Sequence, residues 1–321
     1  MKFLITGGAG FIGSNFTRML LTNHFAELLP IEKVTVLDKL TYAGNFSNLE
    51  SISTDSRFRF VEGDICDTRL VDQLTQECDI IVNFAAESHV DRSIESSIDF
   101  IETNVKGVGN LLEYAVSNNV KTFVQISTDE VYGSIANGSW TEQSPVLPNS
   151  PYAASKAAAD LLVMAFSKTH GLDTRITRCC NNYGPYQYPE KIIPLFISRL
   201  INGKKIPIYG SGSNIREWIH VDDHCAAIGL TIAKGKPGDV YNIAGNCEMS
   251  NLDLSRILLE EFNQGESAIE YVEDRKGHDL RYSLDGSFAR DVLGFNPQVE
   301  FTAGIHETIA WYRKNPSWIK N

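Results

Sequence analysis

Residues 2–14, KFLITGGAGFIGS, constrain the fold of this chain more than any other stretch. A short apolar run, residues 2–6, breaks on glycines, and helical spacing begins at Ile12 and continues to Leu21. The glycines fall as Gly8-Ala9-Gly10-Phe11-Ile12-Gly13 and equally as Gly7-x-x-Gly10-x-x-Gly13. A strand, a glycine turn and a helix in that order let the backbone approach a pyrophosphate, which then rests on the helix N-terminus. A second apolar run, residues 34–37, is followed by Asp38. An acid there accepts hydrogen bonds from a ribose 2′-hydroxyl and repels a 2′-phosphate, which favours NAD over NADP. Gly7, Gly10, Phe11, Ile12, Gly13 and Asp38 are therefore the expected cofactor cradle, with Asp64 and Ile65, after a third run, framing the adenine.

The pattern of the first half repeats this unit. Strand-like runs at 2–6, 34–37, 58–61, 80–85, 122–127 and 174–177 alternate with helical stretches at 12–21, 68–76, 100–117 and 152–169. Such alternation predicts an α/β fold, a doubly wound parallel sheet whose ligands gather at the carboxyl ends of the strands. Beyond Arg178 the alternation stops and Gly, Pro and Asn become frequent. A smaller C-terminal substrate-binding lobe is expected there. The division reads as residues 1–180 with 217–247 for the dinucleotide-binding domain, and 181–216 with 248–321 for the lobe.

Chemistry is concentrated at two places. Thr128-Asp129-Glu130 ends an apolar run that should be buried, so two adjacent carboxylates sit at the mouth of the sheet. Tyr152 and Lys156, one helical turn apart in SPYAASKAAADLL, share one helix face. A free phenol is a poor base at neutral pH, and a nearby ammonium favours the phenolate. With Thr128 on the same hydroxyl, the trio can take a proton from an alcohol while its carbon is oxidised.

These residues resemble the extended short-chain dehydrogenase/reductase family, whose fold is a Rossmann sheet with a second lobe. The likeness covers nearly the whole chain. The blocks NFAAESHVDRSI, STDEVYGS, PNSPYAASK, NNYGPYQYPEKIIPLF, HVDDH and YVEDRKGHDLRYSLD, in this order, are similar to those of its nucleotide-sugar 4,6-dehydratases. The resemblance implies NAD as cofactor and dTDP-glucose as substrate; a UDP- or CDP-linked sugar, an epimerase, and a non-catalytic NAD sensor are the alternatives. It implies Glu130 as the base at C5 of the hexose and Asp129, protonated, as the acid at the 6-hydroxyl. Adjacent acids disfavour double ionisation, which helps keep that proton.

The same likeness extends the cofactor set to Lys39, Leu40, Thr41, Phe84, Ala85, Ala86, Thr103, Tyr152, Lys156 and Asn182. It places Ser88, Thr128, Asn181, Lys191, Pro207, Ile208, Tyr209, Arg216, Asn251, Arg275 and His278 around the substrate. Cys180 stands where a Ser is expected. A homodimer is implied, with helices 100–117 and 152–169 meeting through Ala153, Ala154, Ala157, Ala158 and Ala159.

Composition narrows the partners. A net charge of −11 argues against nucleic acid or an anionic membrane surface. No apolar run reaches the roughly 18 residues of a membrane helix. No charged-then-apolar signal segment is read at residues 1–6, and the six cysteines show no Cys-x-x-Cys pair, so a reducing cytoplasm is expected. His220 and His224 would share a helix face, but without a third ligand no metal is expected.

Overall fold

In the computed structural model, which describes residues 1–319, a sheet of seven parallel strands forms the centre of the fold. Its first six strands are β1 (Lys2–Thr6), β2 (Lys33–Asp38), β3 (Phe58–Glu62), β4 (Ile80–Asn83), β5 (Thr122–Thr128) and β6 (Thr174–Cys179). Strands β7 (Asn181–Tyr183), β8 (Ile206–Tyr209) and β9 (Ile215–His220) leave this sheet, β10 (Val240–Ile243) rejoins it, and β11 (Glu248–Ser250) and β12 (Ile269–Val272) lie outside it. The spatial order β10-β6-β5-β4-β1-β2-β3 reverses between β1 and β4. A crevice opens at the carboxyl ends of strands where the order reverses.

Among the described residues, eleven α-helices accompany the strands: α1 (Phe11–Leu21), α2 (Thr68–Thr75), α3 (Val90–Glu95), α4 (Ile98–Ile101), α5 (Val108–Ser117), α6 (Pro151–His170), α7 (Ile192–Ile201), α8 (Val221–Lys234), α9 (Asn251–Glu261), α10 (Ser287–Leu293) and α11 (Phe301–Lys314). Side chains alternate across the sheet, as the pleat requires. Phe3 and Ile5 of β1 pack with Phe16, Leu20 and Ile228 on one face, while Leu4 packs with Leu111, Phe123 and Val163 on the other. A separate core of Ile193, Phe196, Ile197, Leu254, Leu258, Ile305 and Tyr312 holds the second lobe together. There β9 pairs with β7 and β11, and β8 with β12. Strand β9 runs through the expected lobe boundary at 216/217.

Helix α6, which carries Tyr152 and Lys156, has strong end signals. The Ser150 side chain accepts from Ala153 N at 3.1 Å, Pro151 opens the first turn, and Gly171 closes the helix in a left-handed conformation at φ 68°.

Three local expectations change. The run 80–85 pairs only to Asn83, after which residues 84–88 cross the crevice as irregular chain. The stretch 100–117 is not one regular helix but α4, a π-helical segment Glu102–Gly107, and α5. Asn104 accounts for that widening. Its amide donates to the Glu87 carbonyl (3.0 Å) and Ser155 Oγ (2.8 Å), and its Oδ1 accepts from Glu87 N (2.9 Å). His220 ends β9 and caps α8 rather than sharing its face with His224, because the helix starts only at Val221.

Candidate active site

A cleft of about 560 Å³ runs from the glycine turn across the strand ends to β8 and the loop 275–282. Every residue expected around cofactor or substrate lines it except Leu40 and Asp129. The Leu40 side chain packs onto the core under β1, and its backbone N–H donates to Asp38 Oδ1 at 2.9 Å.

At the glycine end the backbone is what a pyrophosphate needs. Gly7 sits at φ +67°, and a Cβ there would lie 2.5 Å from Ala85 N, so strand ends β1 and β4 meet through this glycine. Gly13 packs its Cα onto the carbonyl of Gly7. Gly10 caps α1 with no side-chain hydrogen bond, and no acid stands in the first turn, leaving the helix-end N–H groups free for an anion. Asp38 holds the turn itself: Oδ2 accepts from Ala9 N at 2.8 Å. Burial raises its carboxyl above the ordinary range, against the pull of the Leu40 and Ala9 N–H groups. Lys39 is bound to Asp64 at 2.7 Å and so is not free for a 2′-phosphate. These residues fit NAD.

At the centre, β5, its following turn and α6 converge. Tyr152 and Lys156 are buried, and Lys156 Nζ donates to the Ile126 carbonyl at 2.6 Å. Burial pulls the Lys156 ammonium down to about 8, with Asp160 opposing. The phenol moves opposite to the direction expected from a neighbouring ammonium. Burial, then the charges of Glu130 and Asp129, push Tyr152 well above 10, and Thr128 opposes only weakly. The desolvation cost of a phenolate outweighs one cation that is itself buried and engaged.

The acid pair divides. Glu130 lines the cleft, raised by burial while Lys191, Arg216 and Arg275 pull it down. Asp129 lies beneath the cleft wall at 3 % exposure, and its Oδ2 has no hydrogen-bond partner among the described residues. Thr128 Oγ1 donates to Asp129 Oδ1 at 3.1 Å. Burial, then the charge of Glu130, raises the Asp129 carboxyl well above 3.8. One carboxyl is thus buried where its surroundings favour the protonated form, beside another that faces three cations.

The far end is built for an anion. Arg216 is fixed by the Asp279 carbonyl (2.9 Å) and lies 4.3 Å from the Tyr282 ring centre. Arg275 Nε, His278 Nε2 and Asn181 Oδ1 are buried without hydrogen-bond partners among the described residues. Lys191 Nζ donates to the Ser88 carbonyl at 2.8 Å. Pro207, Ile208 and Tyr209 of β8, with Leu195 and Phe196 of α7, give an apolar wall, and Asn251 opens α9 beside it. Asn182 is engaged on three sides: Nδ2 donates to Cys179 Sγ (3.2 Å) and the Cys180 carbonyl (3.0 Å), and Oδ1 meets His224 Nδ1 (2.8 Å).

Sequence reasoning passed over Glu87, His89, Asp91, Glu190, Asp279 and Tyr282, all of which line the cleft. Glu190 takes Arg92 at 3.1 Å, and that guanidinium lies 3.8 Å over the Tyr42 ring, closing the rim between the lobes. His89 is held neutral, pulled down to about 4 by burial and then by Lys191. All six lie inside the sequence blocks quoted above, and Glu87, His89, Glu190 and Asp279 directly adjoin a residue already singled out.

Comparison with known proteins agrees with this geometry. The family model described as GDP-mannose 4,6 dehydratase matches residues 4–308. The dTDP-glucose 4,6-dehydratase of Actinoplanes sp. is 53% identical over 318 residues, covering 99% of each chain. The crystal structure of the dTDP-glucose 4,6-dehydratase of Streptomyces venezuelae, solved with NAD bound, has a TM-score of 0.98 at 55% identity, covering 99% of this chain and 98% of that one. That of Bacillus anthracis, in complex with NAD, has a TM-score of 0.91 at 43% identity, with 99% and 98% covered. A match at this identity over 99% of both chains places the chain in the dTDP-glucose 4,6-dehydratase family.

Proposed function

We propose that this protein converts dTDP-glucose to dTDP-4-keto-6-deoxyglucose and water, using NAD as a cofactor that is regenerated in each turnover. The observation that carries this is the placement of Glu130 in one cleft with Tyr152 and Lys156, between a dinucleotide cradle and the cations Lys191, Arg216 and Arg275.

NAD would be held by the glycine turn, Asp38 and the Asp64–Ile65 segment. When bound, it would bring positive charge to the buried phenol, take two electrons and a hydrogen from C4, and return them to C6. With that charge in place the Tyr152 phenol gives up its proton to solvent, and the phenolate then accepts the 4-hydroxyl proton, with Thr128 orienting that hydroxyl and Lys156 holding the charge. The C4 ketone acidifies C5, and Glu130 takes the C5 proton. Asp129, protonated by its burial, gives its proton to the departing 6-hydroxyl, which leaves as water. Glu130 returns a proton to C5, Tyr152 releases the proton it gained and Asp129 takes one up, so each group ends the cycle as it began.

Arg216 and Arg275 suit a diphosphate, because a guanidinium fork matches its oxygens. The β8 wall suits a thymine, whose methyl is worth about 1–3 kcal/mol against uracil. Steady-state comparison of dTDP-glucose with UDP-glucose tests that end of the site. The chemical assignment is tested by Glu130→Gln. That variant should oxidise C4 yet fail to exchange the C5 hydrogen with deuterated solvent, and normal exchange would overturn the role of Glu130.

The assembly belongs to the same proposal. Ala153, Ala157 and Ala159 are buried within the chain, so the outer side of α6 offers Ala154, Ala158 and Leu161 instead. Ile94, Ile98 and Ile101 on α3 and α4 are also exposed, and both helices pack beside α6. This apolar face suits a second copy of the chain. No helix among the described residues is long and apolar enough to cross a membrane. The six cysteines are free, which suits the cytoplasm.

A further inference from the structure

Behind the cleft, outside its lining, one buried guanidinium joins the two catalytic elements. Arg178, the penultimate residue of β6, is 2 % exposed. Its Nε donates to Asp160 Oδ2 at 2.9 Å and its Nη1 to the Tyr132 phenol oxygen at 2.9 Å. The Tyr132 hydroxyl donates onward to Asn242 Oδ1 at 2.8 Å. Asn242 in turn donates to Glu142 Oε1 (2.8 Å) and the Trp140 carbonyl (2.9 Å). Asp160, Tyr132 and Asn242 are each 1 % exposed or less.

The two ends of this chain of bonds matter. Asp160 lies one turn beyond Lys156 on α6 and two beyond Tyr152, on the same helix face. Tyr132 closes the short turn Asp129–Tyr132, which begins with the two acids. The guanidinium therefore spans from the helix that bears the alcohol-oxidising pair to the turn that bears the dehydrating pair.

Stability alone is a weak reason for this arrangement. A buried ion pair gives little over well-packed apolar side chains of the same volume, whereas it fixes geometry in a way they do not. Burial alone would lower the Arg178 guanidinium, but Asp160 and the Tyr132 oxygen outweigh it and keep the cation. Asp160 Oδ1 has no hydrogen-bond partner among the described residues, and the Asp160 charge supports the Lys156 ammonium.

We propose that Arg178 is a positioning residue for the dehydration step, setting the Asp129–Glu130 turn against the Tyr152–Lys156 helix face through Tyr132 and Asp160. This rests on the reaction proposed above. Oxidation at C4 needs only the helix side of the link, with Thr128 and the cofactor. Water loss needs the turn in register as well, so cutting the link slows the second step more than the first.

The experiment uses the cofactor-loaded protein and Tyr132→Phe, which removes one oxygen and keeps the ring stacked on Trp140 at 6.0 Å. With dTDP-glucose, kcat should fall about 10-fold, since small misplacements of catalytic groups cost that much or more. KM should stay within about twofold, because the variant leaves substrate contacts alone. Reduced-cofactor absorbance should build up during turnover, and exchange of the C5 hydrogen with deuterated solvent should fall in step with kcat. Arg178→Lys, which keeps the charge beside Asp160 but lacks a fork to reach both partners, should behave like Tyr132→Phe. Unchanged kcat in both variants overturns the proposal. So does an equal slowing of C4 oxidation and water loss, which marks a merely structural role. If Arg178→Lys does not fold, Tyr132→Phe decides alone. A parent protein that makes no keto sugar from dTDP-glucose would refute the reaction itself, separately from this link.

Discussion

Replacing Lys156 with Met should make the protein more stable and inactive at once. The ammonium is 4 % exposed, and burial lowers it from 10.5 to about 8. A difference of that size corresponds to about 3 kcal/mol carried as a cost by the folded state at neutral pH. Methionine removes the cost but also the bond to the Ile126 carbonyl, worth about 1 kcal/mol, so the net gain is about 2 kcal/mol. The sign with pH follows from proton counting. Below pH 8 folded and unfolded chains both hold the proton, and the full penalty is present. Between about 8 and 10.5 only the unfolded chain binds it, so the stability of the parent rises with pH, and above 10.5 the penalty is gone. Denaturant unfolding of both proteins, freed of cofactor because bound ligand adds its own stabilisation, should show the Met variant ahead at pH 7. The gap should narrow steadily from pH 8 to pH 10. A Met variant less stable than the parent at pH 7, or a gap independent of pH, would refute this account of Lys156. Activity should be lost at every pH, since the variant cannot hold charge beside Tyr152.

Two further outcomes concern the cofactor end. Gly13→Ala places a methyl against the Gly7 carbonyl and 2.9 Å from Gly8 Cα, all backbone, so α1 must shift and NAD affinity should fall at least about 10-fold by equilibrium titration. Asp38→Asn must turn either its oxygen or its amide toward the Ala9 and Leu40 N–H groups, and one of them loses its acceptor. NAD binding should weaken without any gain for NADP, because Lys39 stays paired with Asp64. A variant that binds NADP well would show that Asp38 acts by charge alone.

How much of this was readable in the sequence depended on whether a residue's role is local. The glycine turn, Asp38 and the Tyr152–Lys156 spacing are fixed by hydrogen bonds and helix geometry within a few residues, and their places in the cleft follow from the strand ends. The strands of the main sheet read well because parallel strands buried on both faces are continuous apolar runs. The π-helical segment at Glu102–Gly107 was hidden, because it depends on Asn104 reaching Glu87 and Ser155, distant in sequence. The direction of the Tyr152 shift was hidden for a similar reason. Spacing shows that an ammonium is near, but only the packed structure shows that both groups are dry and that two acids lie closer to the phenol's charge balance. The Arg178 link joins residues from three elements, and no motif marks it.

Asp129 is where sequence and structure differ most usefully. Two adjacent acids at a strand end suggested a pair facing one ligand, yet successive side chains cannot point the same way, and the turn Asp129–Tyr132 buries the first while presenting the second. Protonated Asp129 is close in shape and charge to Asn, so Asp129→Asn should fold at least as well as the parent. Its advantage should be larger at pH 7 than at pH 5. The raised carboxyl costs the parent nothing below the unfolded value near 3.8, and progressively more as pH rises toward its folded value. Catalytically the variant keeps Glu130, so the C4 ketone should form and C5 should still exchange with solvent. The Asn side chain has no acidic proton for the departing hydroxyl, and loss of such a donor costs about 100-fold or more. Product formation should fall by that factor while exchange persists, a split read by following deuterium at C5 alongside keto-sugar release. Parental rates of water loss in Asp129→Asn would mean that the buried carboxyl is structural and that the departing hydroxyl takes its proton elsewhere. Loss of exchange together with water loss would mean that Asp129 works by holding the turn under Glu130.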